Sequence, residues 1–442
     1  MKAYFILFSA LHIFIIVTTT MGAYDPCSSQ PDDSDLTLIP IYAKCSPFDP
    51  HPPATDSWVN TVLTMASKDP QRLTYLSSLV GRKSSAPIAS GQAFNIGNYV
   101  VRARLGTPAQ LMFMVLDTSS DEAWVPCSGC TGCSTTTTTF SPRDSSSFGS
   151  LYCSAPQCSQ VRGLSCPATG SAPCSFNHSY AGSSFSAKLV QDSLKLAYDV
   201  IPHFSFGCID SISGGPGLVP SQGLLGLGRG PMSLLSQSGS LYSGVFSYCL
   251  PSFKSYYFSG SLKLGPKGQP RRIRTTPLLR NPRRPSLYYV NLTGVSVGRV
   301  LVPVRSELLG FNPYTGSGTI IDSGTVITRF VEPVYSAIRE EFRRQVEGPF
   351  SSIGAFDTCF VKRYETLAPI ITLHFTGLDL KLPFENSLLH SSSGSLACLA
   401  MAAAPNNVNY VLNVIANLQQ QNLRILFDTV KNKIGIAREL CN

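Results

Sequence analysis

The feature that most constrains this chain is an echo. The stretch MVLDTSSDEAWVPC, Met114 to Cys127, is answered much later by GTIIDSGTVI, Gly318 to Ile327. In each, an apolar run ends in an aspartate followed by a hydroxyl, a small residue and a second hydroxyl. The two sets are Asp117-Thr118-Ser119-Ser120 and Asp322-Ser323-Gly324-Thr325. Well downstream of each lies an apolar pair with a small third residue, Leu224-Leu225-Gly226 and Val414-Ile415-Ala416. One such aspartate alone reads as a turn residue, because Asp and Ser bond their own backbone at strand ends. A repeated set, one aspartate per half, predicts two similar lobes that face each other and each contribute a carboxylate.

The segments around the echo are strand-like. From NYVVRARLGTPAQLMFMVLD onward, apolar residues alternate with polar ones between tight turns, the period of half-buried strands. With 35 glycines, 32 prolines and only 14% charged residues, the chain favours an all-β protein with large cores and many turns. One helix interrupts. In PVYSAIREEFRRQVEG, Val334, Ile338, Phe342 and Val346 recur every fourth position, with Pro333 at the start and Gly348 beyond the end.

The N-terminus has its own character. Lys2 precedes AYFILFSALHIFIIV, and small residues follow near Gly22 and Ala23, the pattern of a secretory signal over residues 1–22. A retained membrane anchor is the alternative, but the apolar run is short for one, and no internal stretch is long enough to span a bilayer. Residues 23–93 are polar and proline-rich, with Cys27, Cys45 and one amphipathic piece, SWVNTVLTMASKDPQRLTYLSSLV, between linker-like flanks. They read as a pro-segment, with an ordinary N-terminal subdomain as the alternative. Residues 94–285 and 286–442 are then the two lobes.

Secretion gives the 14 cysteines their meaning, because an even count in an oxidising compartment forms disulfides. CSGCTGC could belong to a metal site, but no HExxH pair or second CxxC completes one, so no metal is expected. The sequons at Asn177 and Asn291 are expected to carry glycans. The net charge of +9 is densest in RRIRTTPLLRNPRRP, with Arg271, Arg272, Arg274, Arg280, Arg283 and Arg284. Pro and Thr break that run and no aromatic platform accompanies it, which favours a solvated connecting loop over a nucleic-acid patch. Gly294-Val295-Ser296-Val297-Gly298 satisfies GxSxG, but the residues around it alternate as a strand, whereas a nucleophile elbow needs a strand leading into a helix.

Two carboxylates held together cannot both ionise easily, so the pair shares one proton over a wide acidic range. The ionised member can take a proton from water while the protonated one donates to a carbonyl oxygen. That chemistry is peptide hydrolysis without a covalent intermediate, and it needs no cofactor.

The segments DTSSDEAWVPC, SYAGSSFSAKLVQDSL, GLLGLGRGPMSLLSQ, FSYCL, GTIIDSGTVIT and NLQQQNLRILFDTVKNKIGIA resemble the pepsin-like aspartic proteases. Their wording is nearest the secreted, cysteine-rich plant branch typified by nepenthesin and nucellin, and within it the apoplastic aspartyl proteases. The resemblance implies an all-β, bilobal fold with a few short helices and a cleft between pseudo-symmetric lobes. It implies an acid endopeptidase acting on peptides or proteins as a monomer in the apoplast or cell wall, without nucleic-acid partners or a membrane attachment once the signal is removed. Asp117 and Asp322 become the catalytic dyad, Thr118 and Ser323 the hydroxyls that cross-link the lobes, and Ser120 and Thr325 the donors to the outer carboxylate oxygens. Tyr180 becomes the flap tyrosine and Trp124 the residue that holds it. The implied disulfides are Cys127–Cys130, Cys133–Cys208, Cys153–Cys174, Cys158–Cys166, Cys249–Cys441 and Cys359–Cys398, leaving Cys27–Cys45 in the pro-segment.

The chain departs from the family at four places. Ser119 replaces the usual glycine after the first Asp-Thr, at a cost of about 1 kcal/mol if its backbone is left-handed. Ala181 and Ser183 replace flap glycines, and Ala416 replaces a buried one. If the Ser119 side chain crowds the first carboxylate, Ser119→Gly should raise turnover; if neighbouring small residues make room for it, the glycine variant gains nothing. The alternative function is a catalytically weak pseudoprotease acting as an extracellular inhibitor- or ligand-binding protein.

Overall fold

The computed structural model describes residues 36–40, 62–63, 65–70, 72–73, 76 and 99–441, the last range without 134–137, 168–169, 181–182, 214–222, 254–259, 283–284, 392 and 406–411. The signal sequence, most of residues 23–93, and Cys27 and Cys45 lie outside the described residues. No helix among the described residues is long and apolar enough to cross a membrane.

The alternating pattern becomes a hairpin. Tyr99–Leu105 pairs antiparallel with Gln110–Asp117, from Val100 opposite Val115 to Leu105 opposite Gln110. Val101, Ala103 and Leu105 point into the same core as Met112, Met114 and Leu116, the period-2 burial that the sequence predicts. A second, longer hairpin of Ser183–Leu196 with Asp199–Ser213 completes the first lobe. Two four-stranded sheets belong to the second lobe, one built around Leu292–Val297 and Ile371–Phe375, the other around Phe356–Val361 and Leu396–Leu399. The helix Glu332–Gln345 packs there through buried Val334, Tyr335, Ile338 and Phe342. It opens at Glu332 with Pro333 next in its first turn, one residue before the start read from the sequence, and stops at Gln345, just before Val346 and short of Gly348.

Strands from both lobes meet beneath the cleft. Val245–Cys249 pairs with Leu423–Asp428, which pairs with Lys433–Arg438. Phe246 and Phe427 stack across that seam with ring centroids 4.5 Å apart, and Tyr288 meets Phe427 edge-on at 4.6 Å. The N-terminal strand Leu36–Pro40 also belongs to this platform. It lies between Tyr99–Leu105 and Gly260–Leu264, with Leu38 fully buried.

The echo in the sequence is an echo in the fold. Leu224–Gly226 pairs parallel with the strand ending at Asp117, and Leu412–Ile415 pairs parallel with Gly318–Ile321, which leads into Asp322.

The disulfides require a correction. Cys249–Cys441 and Cys359–Cys398 form as expected, but the other pairings are Cys127–Cys208, Cys130–Cys133, Cys153–Cys166 and Cys158–Cys174. The reason for the first two is register. Trp124–Thr131 runs parallel to Asp199–Ser213 with Val125 opposite Cys208, which brings Cys127 to a Cα distance of 5.5 Å from Cys208. Cys130 and Cys133 are left to close their own tight turn. In the other pair, Cys158 and Cys174 are both fully buried and bond in the core, while Cys153 and Cys166 bond nearer the surface. The two bridges lie side by side, with the sulfurs of Cys158 and Cys166 3.5 Å apart. Such close sulfurs are why the connectivity is not legible from spacing.

Candidate active site

The two Asp loops meet at the centre of the molecule. Asp117 ends its strand because Thr118, Ser119 and Ser120 turn the chain back with their own N–H and hydroxyl groups. The Ser119 N–H donates to Asp117 Oδ1 at 2.9 Å and the Ser120 hydroxyl to Oδ2 at 2.7 Å. The second loop repeats this geometry. The Gly324 N–H donates to Asp322 Oδ1 at 3.1 Å and the Thr325 hydroxyl to Oδ2 at 2.5 Å.

Thr118 and Ser323 tie the loops together. The Ser323 N–H donates to Thr118 Oγ1 at 3.0 Å, and the Thr118 N–H donates to Ser323 Oγ at 3.2 Å. Ser323 Oγ in turn donates to the carbonyl of Leu116 at 3.2 Å. All eight residues of the two sets are buried, so each of these bonds is made away from water.

A third group joins the pair. Arg72, from the N-terminal segment, is fully buried between the two carboxylates. Its Nη2 donates to Asp117 Oδ1 at 2.7 Å and to Asp322 Oδ1 at 2.9 Å. Nη1 reaches Asp117 Oδ2 at 3.1 Å, and Nε reaches Asp322 Oδ2 at 2.9 Å. One planar guanidinium thus engages four carboxylate oxygens, the fork geometry that arginine supplies and lysine does not. Three residues before it, Asp69 accepts the backbone N–H groups of Val326 and Ile327 at 3.1 and 3.0 Å. Leu73 and Leu76 are buried in the same apolar cluster as Trp124, Leu287 and Tyr289.

The electrostatics follow from this packing. Burial alone pushes the Asp117 carboxyl up, but the Arg72 guanidinium and the bonds from Ser120 and Ser119 outweigh it and hold it below the usual value. Burial works against a charged Arg72, yet Asp117 and Asp322 overcompensate and its pKa is raised. Asp69 behaves differently. Burial raises it to about 6, against the opposing pull of Arg329, the two N–H donors and Arg72.

Of the residues singled out in the sequence, Asp117, Asp322, Thr118, Ser120, Ser323 and Thr325 come together here. Trp124 is buried nearby and packs on Phe185 at 5.0 Å. Tyr180 ends the strand Ser175–Tyr180, opposite Ser183, as expected of a hairpin tip; its side chain and Ala181 lie outside the described residues. Asn177 is exposed, while Asn291 is half-buried and donates its amide to Thr376 Oγ1 at 2.9 Å. Arg271, Arg272, Arg274 and Arg280 are exposed, with Arg274 opening a strand rather than lying in a loop.

Ser296 does lie mid-strand, with neighbours on both sides. Its hydroxyl is 2.7 Å from His374 Nε2, and His374 Nδ1 is 2.8 Å from Asp379. This is a serine–histidine–aspartate order on a half-buried sheet face, but Ser296 sits in a strand paired on both sides and not at a strand-to-helix turn, so the nucleophile elbow is missing.

Sequence reasoning missed Arg72 and Asp69, and also the support beneath Asp322. There Gln420 Nε2 donates to the carbonyls of Ile415 at 2.8 Å and Asp322 at 3.2 Å, and Asn417 Nδ2 donates to the Ser323 carbonyl at 2.9 Å. The polar run Asn417-Leu418-Gln419-Gln420-Gln421 was a signal for such support, since so many amides next to an apolar strand need buried partners.

Two family models match the chain, described as "Xylanase inhibitor N-terminal" over residues 99–266 and "Xylanase inhibitor C-terminal" over residues 287–438. An Arabidopsis thaliana protein named aspartyl protease AED3 is 64% identical over 98% of this chain and 99% of its own length. Aspartyl protease 25 of Oryza sativa is 53% identical over 88% of this chain and 93% of its own. Aspartic proteinase nepenthesin-1 of Nepenthes gracilis is 35% identical over 78% of each. Among solved structures, conglutin gamma from lupine seeds superposes with a TM-score of 0.61 over 77% of this chain and 91% of that one. At 19% identity that likeness concerns the fold alone.

Proposed function

This chain belongs to the pepsin-like aspartic protease family, and we propose that it is secreted as a latent precursor and cleaves peptide bonds at acidic pH through Asp117 and Asp322. The observation that carries the reading is that both carboxylates converge on one guanidinium. A place where a single polar group can bond both aspartates is a place where one water can. In the absence of a cation the two carboxyl groups share a proton. The ionised member takes a proton from the bound water, whose oxygen bonds to the substrate carbonyl carbon. The protonated member donates to the carbonyl oxygen. Collapse of the resulting diol breaks the C–N bond as the amine nitrogen takes up a proton. Thr118 and Ser323 hold the two loops in one plane, and Ser120 and Thr325 fix the outer oxygens.

Arg72 occupies the position this water would need, so the arrangement with residues 62–76 in place is closed to substrate. Residues 23–93 are therefore read as a pro-segment that must leave, with 94–285 and 286–442 as the enzyme. Export to the plant cell exterior is supported by the N-terminal signal pattern and by six disulfides among the described residues. A second reading, a non-catalytic binding protein, is favoured by the description of the matched family models.

One assay separates the two. The precursor, activated in acid, is expected to hydrolyse a protein substrate and to be blocked by a transition-state-mimicking aspartic-protease inhibitor. Asp117→Asn and Asp322→Asn should each lower the rate by about 100-fold or more. Wild-type rates in either variant would overturn the dyad, and an inert but folded wild-type chain would leave the binding reading standing.

A further inference from the structure

Among the differences between the two Asp loops, the one at the third position lies against Arg72. Where the second loop has Gly324, the first has Ser119. A Cβ added at Gly324 would stand 2.2 Å from Arg72 Nη2 and 2.4 Å from its Cζ, so the guanidinium rests directly on that glycine. On the other side stands Ser119. The Ser119 hydroxyl accepts a hydrogen bond from Arg72 Nη2 and donates to Asp117 Oδ1 at 3.1 Å.

The strain expected of Ser119 is absent. The non-glycine residues with left-handed backbone among the described residues are Ala197, His203, Ser243, Asn422 and Asn432, none in either loop. Ser119 therefore adopts an ordinary conformation that its CH₂OH group does not penalise, and the hydroxyl has a partner on each side.

We infer that Ser119 is a recognition residue for the N-terminal segment: its hydroxyl holds the Arg72 guanidinium against Asp117 and so keeps the precursor closed. This rests on the reading of residues 23–93 as a removable pro-segment. The role differs from the crowding of the first carboxylate that the sequence suggests. A glycine at 119 would leave the two Nη2 hydrogens to the carboxylates alone, without the hydroxyl that accepts as a third partner and draws the guanidinium to the Asp117 side. The pairing is also selective. A hydroxyl that already donates to Asp117 offers only a lone pair to its other neighbour, which suits an N–H donor.

The test uses the full-length precursor at neutral pH, where docking can be read without proteolysis. Hydrogen–deuterium exchange of the amides in residues 62–76 reports how often the segment opens. Ser119→Ala and Ser119→Gly are each expected to raise that exchange about ten-fold or more, the scale of a lost hydrogen bond to a charged group. Core amides of Tyr99–Leu105 should keep their wild-type rates. In an Arg72→Gln background the same substitutions should add little, because the partner is gone. Wild-type exchange in both Ser119 variants would overturn the inference. So would effects of Ser119→Ala and Arg72→Gln that simply add, or faster exchange throughout the core. Exchange is read whether or not the activated chain cleaves peptides, so this result and the proposed activity stand or fall separately.

Discussion

Arg72 pairs with both carboxylates of the site. It satisfies two buried carboxylates at once, so its removal leaves two negative charges facing each other without a cation. Breaking a buried ion pair from one side costs about 3–5 kcal/mol. Arg72→Gln is therefore expected to weaken closure by about 100-fold or more, and uncleaved precursor carrying it should show peptidase activity where the wild-type precursor shows none. Latency unchanged in that variant would remove Arg72 from the role. The aspartates and their hydroxyls were legible because each set is contiguous: the turn that presents the carboxylate is built by its own neighbours. Arg72 was not. It lies in an amphipathic piece that reads like any other, and its partners are 45 and 250 positions away.

At the scale of elements, the parallel pairing behind each loop sets how much room the loop has. Gly226 lies where a Cβ would meet the carbonyl oxygens of Asp121 at 2.4 Å and Glu122 at 2.7 Å. Those are backbone atoms and cannot step aside. Gly226→Ala is expected to destabilise the fold by about 1–3 kcal/mol and to shift the Asp117 loop, seen as a lower melting temperature together with lower activity. Its counterpart Ala416 is already an alanine, extended at φ −93° and ψ 172°, with its N–H donated to Thr328 Oγ1 at 3.0 Å. Ala416→Gly should cost no more than about 1 kcal/mol. Equal melting temperatures for Gly226→Ala and the wild type would show that the first loop has slack the register denies. The disulfides belong to the same scale: a non-reducing digest read by mass spectrometry should yield Cys127–Cys208 and Cys158–Cys174, and finding Cys133–Cys208 would contradict the strand register. The repeated apolar triplets marked the duplication in the sequence, and the fold pairs each of them parallel to the strand that leads into its Asp. The cysteine partners depended on which segments meet across 81 and 16 positions, which spacing does not encode.

For the whole molecule, docking of the N-terminal segment is linked to protons. In the closed form Asp117 is held below its ordinary value, so it stays ionised in acid that would protonate the uncovered pair. Closure therefore releases a proton. Its contribution is fully present above the uncovered pKa and is lost as pH falls through the depressed closed-state value, so acid is expected to open the proposed precursor. Asp69 works the other way. Its closed-state value of about 6 lies above the ordinary 3.8, so between those values the closed form takes up a proton and Asp69 favours closure in acid. The charged groups facing it are Arg329 and Arg72. Asp69→Asn removes this opposing contribution and one acceptor for the Val326 and Ile327 N–H groups. Its precursor is expected to open over a steeper pH range, because the proton uptake that opposes opening is gone, measured by exchange of residues 62–76 or by the onset of activity. A shallower range than the wild type would reverse the assigned sign.

What the sequence determined by itself was local or repeated: the strand period, the helix at Glu332–Gln345, the duplicated Asp loops and the hydroxyls that set each carboxylate. Those features are encoded by neighbours, which the chain carries wherever it folds. Tertiary structure decided the cysteine partners, the room beside Gly226, and the joining of Arg72 and Ser119 to the two aspartates. Each of these depends on which distant backbone lies within a few ångströms, and that distance is fixed only when the two lobes and the N-terminal strand Leu36–Pro40 close into one sheet.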